Sequence, residues 1–235
     1  MLVVFASRHD AGARSLVARW ASHDAALLTA EDLSVAGWRH SLGSSATDRA
    51  VVGGRLVATG EIAGVLIRWP CVLPTDLGHI DPEDREYVAA EMTAFLRSWL
   101  TQLRCPVLNR PTAISLLGPA WRPEQWVHTA AGLGIPVRPI RRHARFAATA
   151  STLASPDHAT VTVLGDRCFG ETHAVLAGHA RRLAAAAGAA LVDFQFTGPD
   201  AGAALISADL FASLDGDERA DAVLALLLNA TGRPS

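Results

Sequence analysis

The sequence predicts an α/β fold, with a mainly parallel β-sheet layer in its first part and a smaller α+β lobe in its last part. Short apolar runs alternate with amphipathic stretches as far as about residue 136. This alternation is typical of a parallel sheet covered by helices. A segment rich in Ala, Ser and Thr follows at 147–157 and indicates a break in the fold. Half of the 235 residues are hydrophobic, which is ample for the cores of such a protein.

The first elements are predicted from a buried strand followed by a helix cap. Residues 2–6 form a short apolar run with no basic residues before it, which indicates a strand rather than a signal peptide. Asp10 then stands where a helix needs its N-cap, and apolar residues recur after it at helical spacing. Further strands of this part are predicted at 26–29, 38–42, 55–59, 64–69 and 106–108. We expect 38–42 and 55–59 to pair.

Two helices complete the first part. Asp81, Pro82 and Glu83 give the first turn the acidic residues and the proline that favour a helix start. The helix predicted from there runs to about residue 103. A second helix is predicted at 123–133, where Gly134 supplies the usual C-terminal stop.

The last part is predicted to be a small α+β lobe. The predicted elements are a strand at 160–164 that turns into 168–169, a helix at 171–187, a hairpin of 190–196 with 203–208, and a helix at 217–229. The predicted organisation is therefore an α/β domain at 1–146, a linker at 147–159 and a C-terminal lobe at 160–235.

Charge and cysteine content narrow the classes of partner. The formal net charge is -2, so no nucleic acid or membrane partner is expected. Three scattered cysteines do not form a disulfide framework, which favours a reduced, cytoplasmic setting. No apolar stretch is long enough for a membrane span.

All 21 basic residues are arginine, and the chain contains no lysine. Its richness in Ala, Gly and Arg points to a genome that disfavours lysine codons. Arginine does not replace lysine where a compact ammonium must sit on a phosphate or lose its proton. Enzyme classes that depend on a lysine are therefore disfavoured.

Several segments, in their order along the chain, resemble the ATP-grasp ligase superfamily. They are most similar to the branch that modifies peptides, such as the ligases that macrocyclise microviridin-type peptides. The segments are GVLIRWP at 64–70, the long helix from Pro82, PVLNRP at 106–111, QWVHTAAGLGIPV at 125–137, VLGDR at 163–167 and LVDF at 191–194. The resemblance implies a pre-ATP-grasp-like domain followed by an ATP-grasp-like lobe.

The resemblance implies a magnesium site on the last two strands of that lobe. Asp193 matches the family's Asp in the penultimate strand, and Ser207-Ala208-Asp209 stands where the family has Glu-x-Asn. Asp193 and Asp209 could supply the one or two carboxylates that Mg²⁺ takes beside phosphate oxygens. The alternative is that Asp193 merely ends a hairpin strand and that Asp209 lies in a loop.

Arginines are the candidates for binding a nucleotide or another anion. Arg122 stands near the place of the lysine that usually opens the "KP.QL" stretch, and an arginine can hold a phosphate bidentately. A basic cluster follows Pro136, and the alternative for this cluster is a solvated strand edge. The anion-binding candidates are Arg122, Arg138, Arg141, Arg142 and Arg145.

Substrate contacts are expected from Arg68, Asn109 and Arg110, which follow predicted strands of the first domain. Arg68 could bind a substrate carboxylate. It could equally stack on the neighbouring Trp69 ring.

One lobe of the family is expected to be missing. The lobe that carries the strand lysine and the glycine-rich phosphate loop would lie between 140 and 160. About 20 residues are too few for a multi-stranded lobe at ~5–6 residues per strand. No glycine lies between Gly134 and Gly165 to form a phosphate-cradling loop.

We therefore expect a truncated, degenerate ATP-grasp-like protein that acts as a non-ligating binding or scaffold partner in peptide or natural-product modification. The alternative is an active ATP-dependent carboxylate–amine ligase with a minimised nucleotide site, and only that alternative needs ATP and Mg²⁺. A third possibility is an enzyme that uses the same cleft for another small molecule. The sequence leaves open whether the protein is an enzyme. A peptide or protein partner is expected, together with a homodimer formed through the edge near 147–160.

Overall fold

A computed structural model of the chain describes residues 1–43, 47–139 and 158–229. They belong to two compact units, one made of 1–120 with 214–235 and the other of 121–213. The strands are β1 Leu2–Phe5, β2 Ala25–Leu28, β3 Arg49–Val52, β4 Arg55–Ala58, β5 Gly64–Ile67, β6 Val107–Leu108, β7 Ala159–Leu164, β8 Arg167–Phe169, β9 Leu191–Phe196 and β10 Leu205–Asp209. The α-helices are α1 Ala11–Arg19, α2 Arg85–Gln102, α3 Pro123–Gly132, α4 Ala174–Ala187 and α5 Asp217–Asn229.

The first unit contains the predicted parallel sheet. Its strand order is β2-β1-β5-β6, and all three neighbouring pairs are parallel. Every residue of β1 and β5 is buried, as expected for central strands covered on both faces. The N-cap of α1 is Asp10, whose Oδ1 accepts a hydrogen bond of 2.9 Å from the Ala13 N–H. The α/β expectation and the predicted cap are confirmed.

A hairpin of β3 and β4 replaces one predicted strand pair. The partner of β4 is Arg49–Val52 and not 38–42, so that prediction was wrong. Gly53 and Gly54 have φ of 56° and 72°, which allow the tight two-residue turn that directly joins β3 to β4. Of the predicted strand, only Arg39 bridges to the sheet, through Arg49.

Buried Asp32 fastens this hairpin to the end of β2. Its Oδ1 accepts a hydrogen bond of 2.8 Å from the Gly54 N–H, and its Oδ2 accepts one of 2.9 Å from the Thr29 N–H. These charge-assisted bonds satisfy a carboxylate that is only 6% exposed. The carboxylate therefore fixes the position of the glycine turn.

Helix α2 starts later than its sequence signals indicate. Asp81 accepts hydrogen bonds of 3.0 Å from the Glu83 N–H, through Oδ1, and from the Asp84 N–H, through its carbonyl. These bonds close a turn around Pro82, and the helix begins only at Arg85. The predicted start was three to four residues too early, while the predicted end was accurate.

The C-terminal helix α5 belongs to the first unit, where it packs on β5. A Cβ added at Gly64 would lie 3.0 Å from the Leu227 Cβ, so glycine permits the close approach of the helix. At the surface, Arg19 forms ion pairs with Asp217 and, at 2.8 Å, with Asp221. The predicted helix at 217–229 is confirmed.

The second unit is built on an antiparallel sheet of order β10-β9-β7-β8. Helices α3 and α4 cover one face, where buried residues such as Trp126, Leu176 and Phe194 form the core. The segment after α3 lies along β10, since the Arg138 N–H donates to the Leu205 carbonyl at 2.9 Å and Val137 bridges Leu205 in parallel. The predicted strands and hairpin of this part are confirmed.

The compact units place two helices differently from the predicted domains. Helix α3 lies in the second unit, although 1–146 was predicted as one domain. Helix α5 lies in the first unit, although it was predicted within 160–235. The reason is packing: the apolar side of α3 joins the core with Phe194, and Leu227 of α5 lies on β5. The predicted linker at 147–159 stays a prediction, because all but two of its residues lie outside the described part.

Candidate functional site

Two carboxylates meet on the face of the second sheet opposite to helices α3 and α4. Asp193 of β9 and Asp209 of β10 are register partners across the antiparallel pair. Directly opposed residues share a face, with Cβ atoms about 4.5–5.5 Å apart. Asp209 is the last residue of its strand rather than part of a loop. Like charges in this position repel, unless a cation or a proton lies between them.

Backbone donors hold each carboxylate by one oxygen. Asp193 Oδ2 accepts a hydrogen bond of 3.0 Å from the Ser213 N–H, and Asp209 Oδ1 accepts one of 2.8 Å from the Phe211 N–H. Asp193 Oδ1 is buried and has no hydrogen-bond partner within the described part of the chain. A buried carboxylate oxygen without a donor is costly and is well suited to a cation.

Thr162 extends this polar row across the sheet. It is the register partner of Asp193 on β7, and its Oγ1 is also buried without a partner in the described residues. Beside the row, the Ser207 hydroxyl donates to Gln195 Oε1 at 3.1 Å. The sequence alone does not show that Thr162 belongs to this row, because only the strand register places Thr162 beside Asp193.

The residues present fit a magnesium ion that takes its other ligands from a bound molecule and from water. Two carboxylates satisfy the protein's part of a Mg²⁺ site whose other ligands are waters and phosphate oxygens. Within 1–43, 47–139 and 158–229, no group of three or more His, Cys, Asp or Glu is arranged to hold a metal ion by itself. A metal at Asp193 and Asp209 would therefore depend on ligand oxygens.

The anion-binding candidates are only partly described. Arg122 is exposed and caps α3, where its N–H donates to Gln125 Oε1 at 2.8 Å. Arg138 is exposed on the segment beside β10. The other candidates, Arg141, Arg142 and Arg145, lie outside the described residues.

A cavity of about 430 Å³ lies against the exposed side of α3. Trp121 packs on the buried Trp126 with ring centroids 4.8 Å apart, and this contact holds one wall of the cavity. The lining residues are Trp121, Glu124, Gln125, His128 and Thr129. Apart from the amphipathic pattern of the helix, no feature of the sequence indicates this cavity.

In the first unit, Arg68 forms a buried ion pair with Asp10. Its Nε lies 2.7 Å from Asp10 Oδ2, and the two side chains are 9% and 13% exposed. The neighbouring Trp69 packs on Phe5, with centroids 5.6 Å apart. Arg68 and Asp10 follow β5 and β1, at the carboxyl edge where strand order reverses and where ligands of open α/β sheets bind.

The other two predicted substrate residues have structural contacts. Asn109 is 2% exposed after β6, and Gly118 (φ 103°) approaches it so closely that an added Cβ would lie 2.7 Å from the Asn109 Cβ. The Arg110 guanidinium donates to the Leu103 and Cys105 carbonyls at 3.2 Å each. These bonds satisfy carbonyls at the C-terminal end of α2, where a cation is favourable.

A small polar cavity of about 20 Å³ lies at the same sheet edge. Arg8 and Glu31 form an ion pair of 2.7 Å across it. Burial, together with the charge of Glu31, raises the pKa of Asp76, while a hydrogen bond from the Leu73 N–H opposes the rise. The cavity has room for about one water molecule.

The fold of the whole chain is similar to that of peptide-modifying ATP-grasp ligases. The macrocyclase MdnC of Microcystis aeruginosa, bound with the precursor peptide MdnA, matches with a TM-score of 0.69 and 12% identity over 97% of this chain and 100% of that chain. A RiPP-associated ATP-grasp ligase of Chryseobacterium gregarium, in complex with ADP and a leader and core peptide, matches with a TM-score of 0.68 and 8% identity over 99% and 97%. The ligase PsnB, complexed with a minimal precursor, Mg and ADP, matches with a TM-score of 0.63 and 16% identity over 99% and 98%.

These likenesses establish that the chain has the ATP-grasp ligase fold, as its sequence segments predict. No family model and no curated protein sequence matches the chain. The matches span nearly the whole of both chains, and the predicted loss of a lobe between 140 and 160 stays a prediction. Within the described residues, no helix is long and apolar enough to cross a membrane.

Proposed function

We propose that the protein is a cytoplasmic, non-ligating member of the peptide-modifying ATP-grasp proteins, which binds a peptide or protein partner in natural-product modification. The observation that carries the proposal is the absence of lysine from all 235 residues in a chain with this fold. A lysine on the nucleotide phosphates is what the family resemblance leads one to expect. Arginine can bind a phosphate, but its geometry and hydration differ from those of an ammonium.

The proposed partner is an acidic peptide segment. The fold is shared with ligases whose structures contain precursor peptides. The five arginines at 122, 138, 141, 142 and 145 give the second half of the chain a cationic stretch that suits carboxylates. Arg68, Asn109 and Arg110, which follow strands β5 and β6 of the first unit, are proposed as further substrate contacts.

Fluorescence anisotropy with a labelled, Glu-rich peptide tests the peptide proposal. The variant Arg122→Glu/Arg138→Glu should weaken binding at least 10-fold, and added salt should weaken binding to the unaltered protein. Arg55→Glu is the matched control, because Arg55 is an exposed arginine of the first unit that pairs with Asp24. Equal loss in the control, or no binding by any form, contradicts the proposal.

An active ligase is the second candidate, and the opposed pair Asp193 and Asp209 favours it. Asp193 Oδ1, which has no hydrogen-bond partner among the described residues, is the atom that a metal ion would satisfy. In this candidate the arginines would hold the nucleotide phosphates, and the two carboxylates would hold Mg²⁺. The bound nucleotide would supply the phosphoryl group that activates a carboxylate.

Titration of ATP with Mg²⁺, followed by calorimetry and thermal unfolding, separates the two candidates. A ligand present at 100 times its dissociation constant stabilises a protein by ~2.7 kcal/mol. The non-ligating proposal expects no such shift at millimolar ATP and no ADP release with peptide. A shift that disappears in Asp193→Asn but persists in Ser207→Ala, accompanied by ADP release, would establish the ligase instead. Asparagine at 193 retains an acceptor for the Ser213 N–H.

A homodimer is proposed as the working assembly, through the edge near residues 147–160. Sedimentation equilibrium on the full chain tests it. A mass of 24.8 kDa at micromolar concentration would be that of the monomer and would contradict the dimer.

A further inference from the structure

An Asp–His–Ser constellation lies in the first unit, and none of its three residues belongs to the candidate site described above. His40 Nδ1 lies 3.2 Å from Asp48 Oδ2, and His40 Nε2 lies 2.9 Å from Ser98 Oγ. The side chains of His40 and Asp48 are 7% and 2% exposed. A nucleophile bonded to a base, which is in turn oriented by a buried acid, is the geometry that activates serine in hydrolases.

The Asp48 carboxylate orients the His40 ring. Burial would raise the pKa of Asp48, but hydrogen bonds from the Ser41 N–H and from His40 outweigh it and lower the pKa. The carboxylate is therefore ionised at neutral pH and only accepts, so His40 Nδ1 carries the hydrogen. In the tautomer with the hydrogen on Nδ1, Nε2 is the acceptor that receives the Ser98 hydroxyl.

Helix α2 presents the remaining groups on one stripe, formed by Phe95, Ser98 and Gln102. The Phe95 ring packs edge-on against His40, with centroids 5.8 Å apart. The Gln102 carboxamide is held loosely, with Oε1 3.5 Å from the Gly43 N and Nε2 3.4 Å from His40 Nε2. In the proposal below, the second N–H of this amide donates to the oxygen that develops negative charge beside Ser98.

The chain offers an internal comparison in which the acid is missing. Ser34 Oγ lies 2.8 Å from His79 Nε2, and both residues are exposed. No hydrogen bond or ion pair to a carboxylate is present at His79 in the described residues. Ser34 and His79 therefore lie at a distance similar to that between Ser98 and His40. Among the described residues, however, no buried carboxylate orients the His79 ring.

We propose that Ser98 is a nucleophile, activated by His40 and oriented through Asp48, that accepts acyl groups from small carboxylic esters. Ser98 Oγ bonds to the ester carbonyl carbon while its proton moves to His40 Nε2. The carbon–oxygen bond to the alcohol then breaks, and the alcohol leaves with that proton. Water, activated by the same ring, hydrolyses the acyl-serine to release the acid. The Gln102 carboxamide donates a hydrogen bond to the transient oxyanion.

The test is treatment of the full-length protein with an alkyl fluorophosphonate, followed by intact mass and peptide mapping. We expect one phosphonyl group for each chain, on Ser98, and steady release of nitrophenol from p-nitrophenyl acetate. Ser98→Ala should abolish both. His40→Gln should slow both by about 100-fold, which is typical of losing a general base. Gln102→Leu should slow ester hydrolysis by a similar factor.

Asp48 acts through His40, so Asp48→Asn should slow labelling of Ser98 while circular dichroism still shows a folded chain. If a variant fails to fold, the position of the label on the unaltered protein still tests whether Ser98 is the nucleophile. Three results would each overturn the proposal. They are the absence of label on Ser98 at millimolar probe, labelling of Ser34 to the same extent, and an unchanged rate of labelling and ester hydrolysis in folded His40→Gln.

Discussion

Asp193 and Asp209 occupy directly opposite positions on neighbouring antiparallel strands, so that two carboxylates share one site on the sheet. Each accepts one backbone hydrogen bond, which orients it but does not neutralise it. The pair therefore carries an electrostatic cost that a bound cation would relieve. This geometry is the reason for proposing the two carboxylates as a metal site.

Replacing Asp209 by asparagine should stabilise the protein in the absence of divalent cations. Removing one of two opposed like charges relieves a repulsion of about 0.2–1 kcal/mol. Thermal unfolding in EDTA measures the effect, and Ser207→Ala should behave like the unaltered protein. A lower Tm of Asp209→Asn in EDTA would contradict this interpretation.

Asp10 has two roles that two variants can separate. Asp10→Ala removes both the N-cap of α1 and the carboxylate that pairs with buried Arg68, so it should cost about 3–5 kcal/mol, as is typical for breaking a buried ion pair. Asp10→Ser retains a capping oxygen and should recover about 1 kcal/mol of that loss. Urea unfolding of the two variants gives both values. Equal stabilities would show that the cap contributes nothing.

Two glycines of the second unit should respond oppositely to alanine. Gly170 has φ of 131°, and an added Cβ would lie 2.2 Å from the Thr160 carbonyl oxygen. Gly170→Ala should lose about 1–3 kcal/mol from backbone conformation alone. Gly178 lies within α4 with no atom within 4 Å of an added Cβ, so Gly178→Ala should gain about 0.5–1 kcal/mol. Chemical denaturation of both variants checks the contrast, and a loss in Gly178→Ala would refute the helix argument.

Asp48 should make stability depend on pH in the acidic range. Its pKa is lower in the folded protein than the ordinary 3.8, because the bonds from Ser41 and His40 outweigh burial. The resulting stabilisation is fully present above the ordinary pKa and disappears as the pH falls through the folded pKa. Urea midpoints measured from pH 7 to pH 3 should fall less steeply for Asp48→Asn below pH 4. Parallel profiles for the two proteins would argue against this contribution.

Local sequence patterns correctly predicted the elements whose ends are marked by residues close by in the sequence. Helix α5 was predicted at its observed bounds, because acidic residues mark its start and its apolar spacing is regular. The Gly165-Asp166 turn correctly joined β7 to β8. In these places the local sequence and the final packing agree.

The failures occur where side chains are engaged in distant contacts. Trp38 and His40 were predicted to lie in a strand. Trp38 instead packs edge-on against Phe95, with centroids 5.2 Å apart, and His40 bonds to Ser98, 58 residues away. No spacing in the sequence relates these partners. For the same reason the Asp48–His40–Ser98 constellation was not foreseen, whereas Asp193 and Asp209 were brought together by the family resemblance.

The return of α5 to β5 has a consequence for how the protein is made. During synthesis, residues 121–213 emerge from the ribosome before the chain supplies Leu227, which covers Gly64. The unit formed by 121–213 can therefore complete its core first. In the first unit, whose strands are made earlier, β5 stays uncovered until α5 has been made. A released chain that ends at residue 213 should accordingly bind chaperones through its first unit rather than its second.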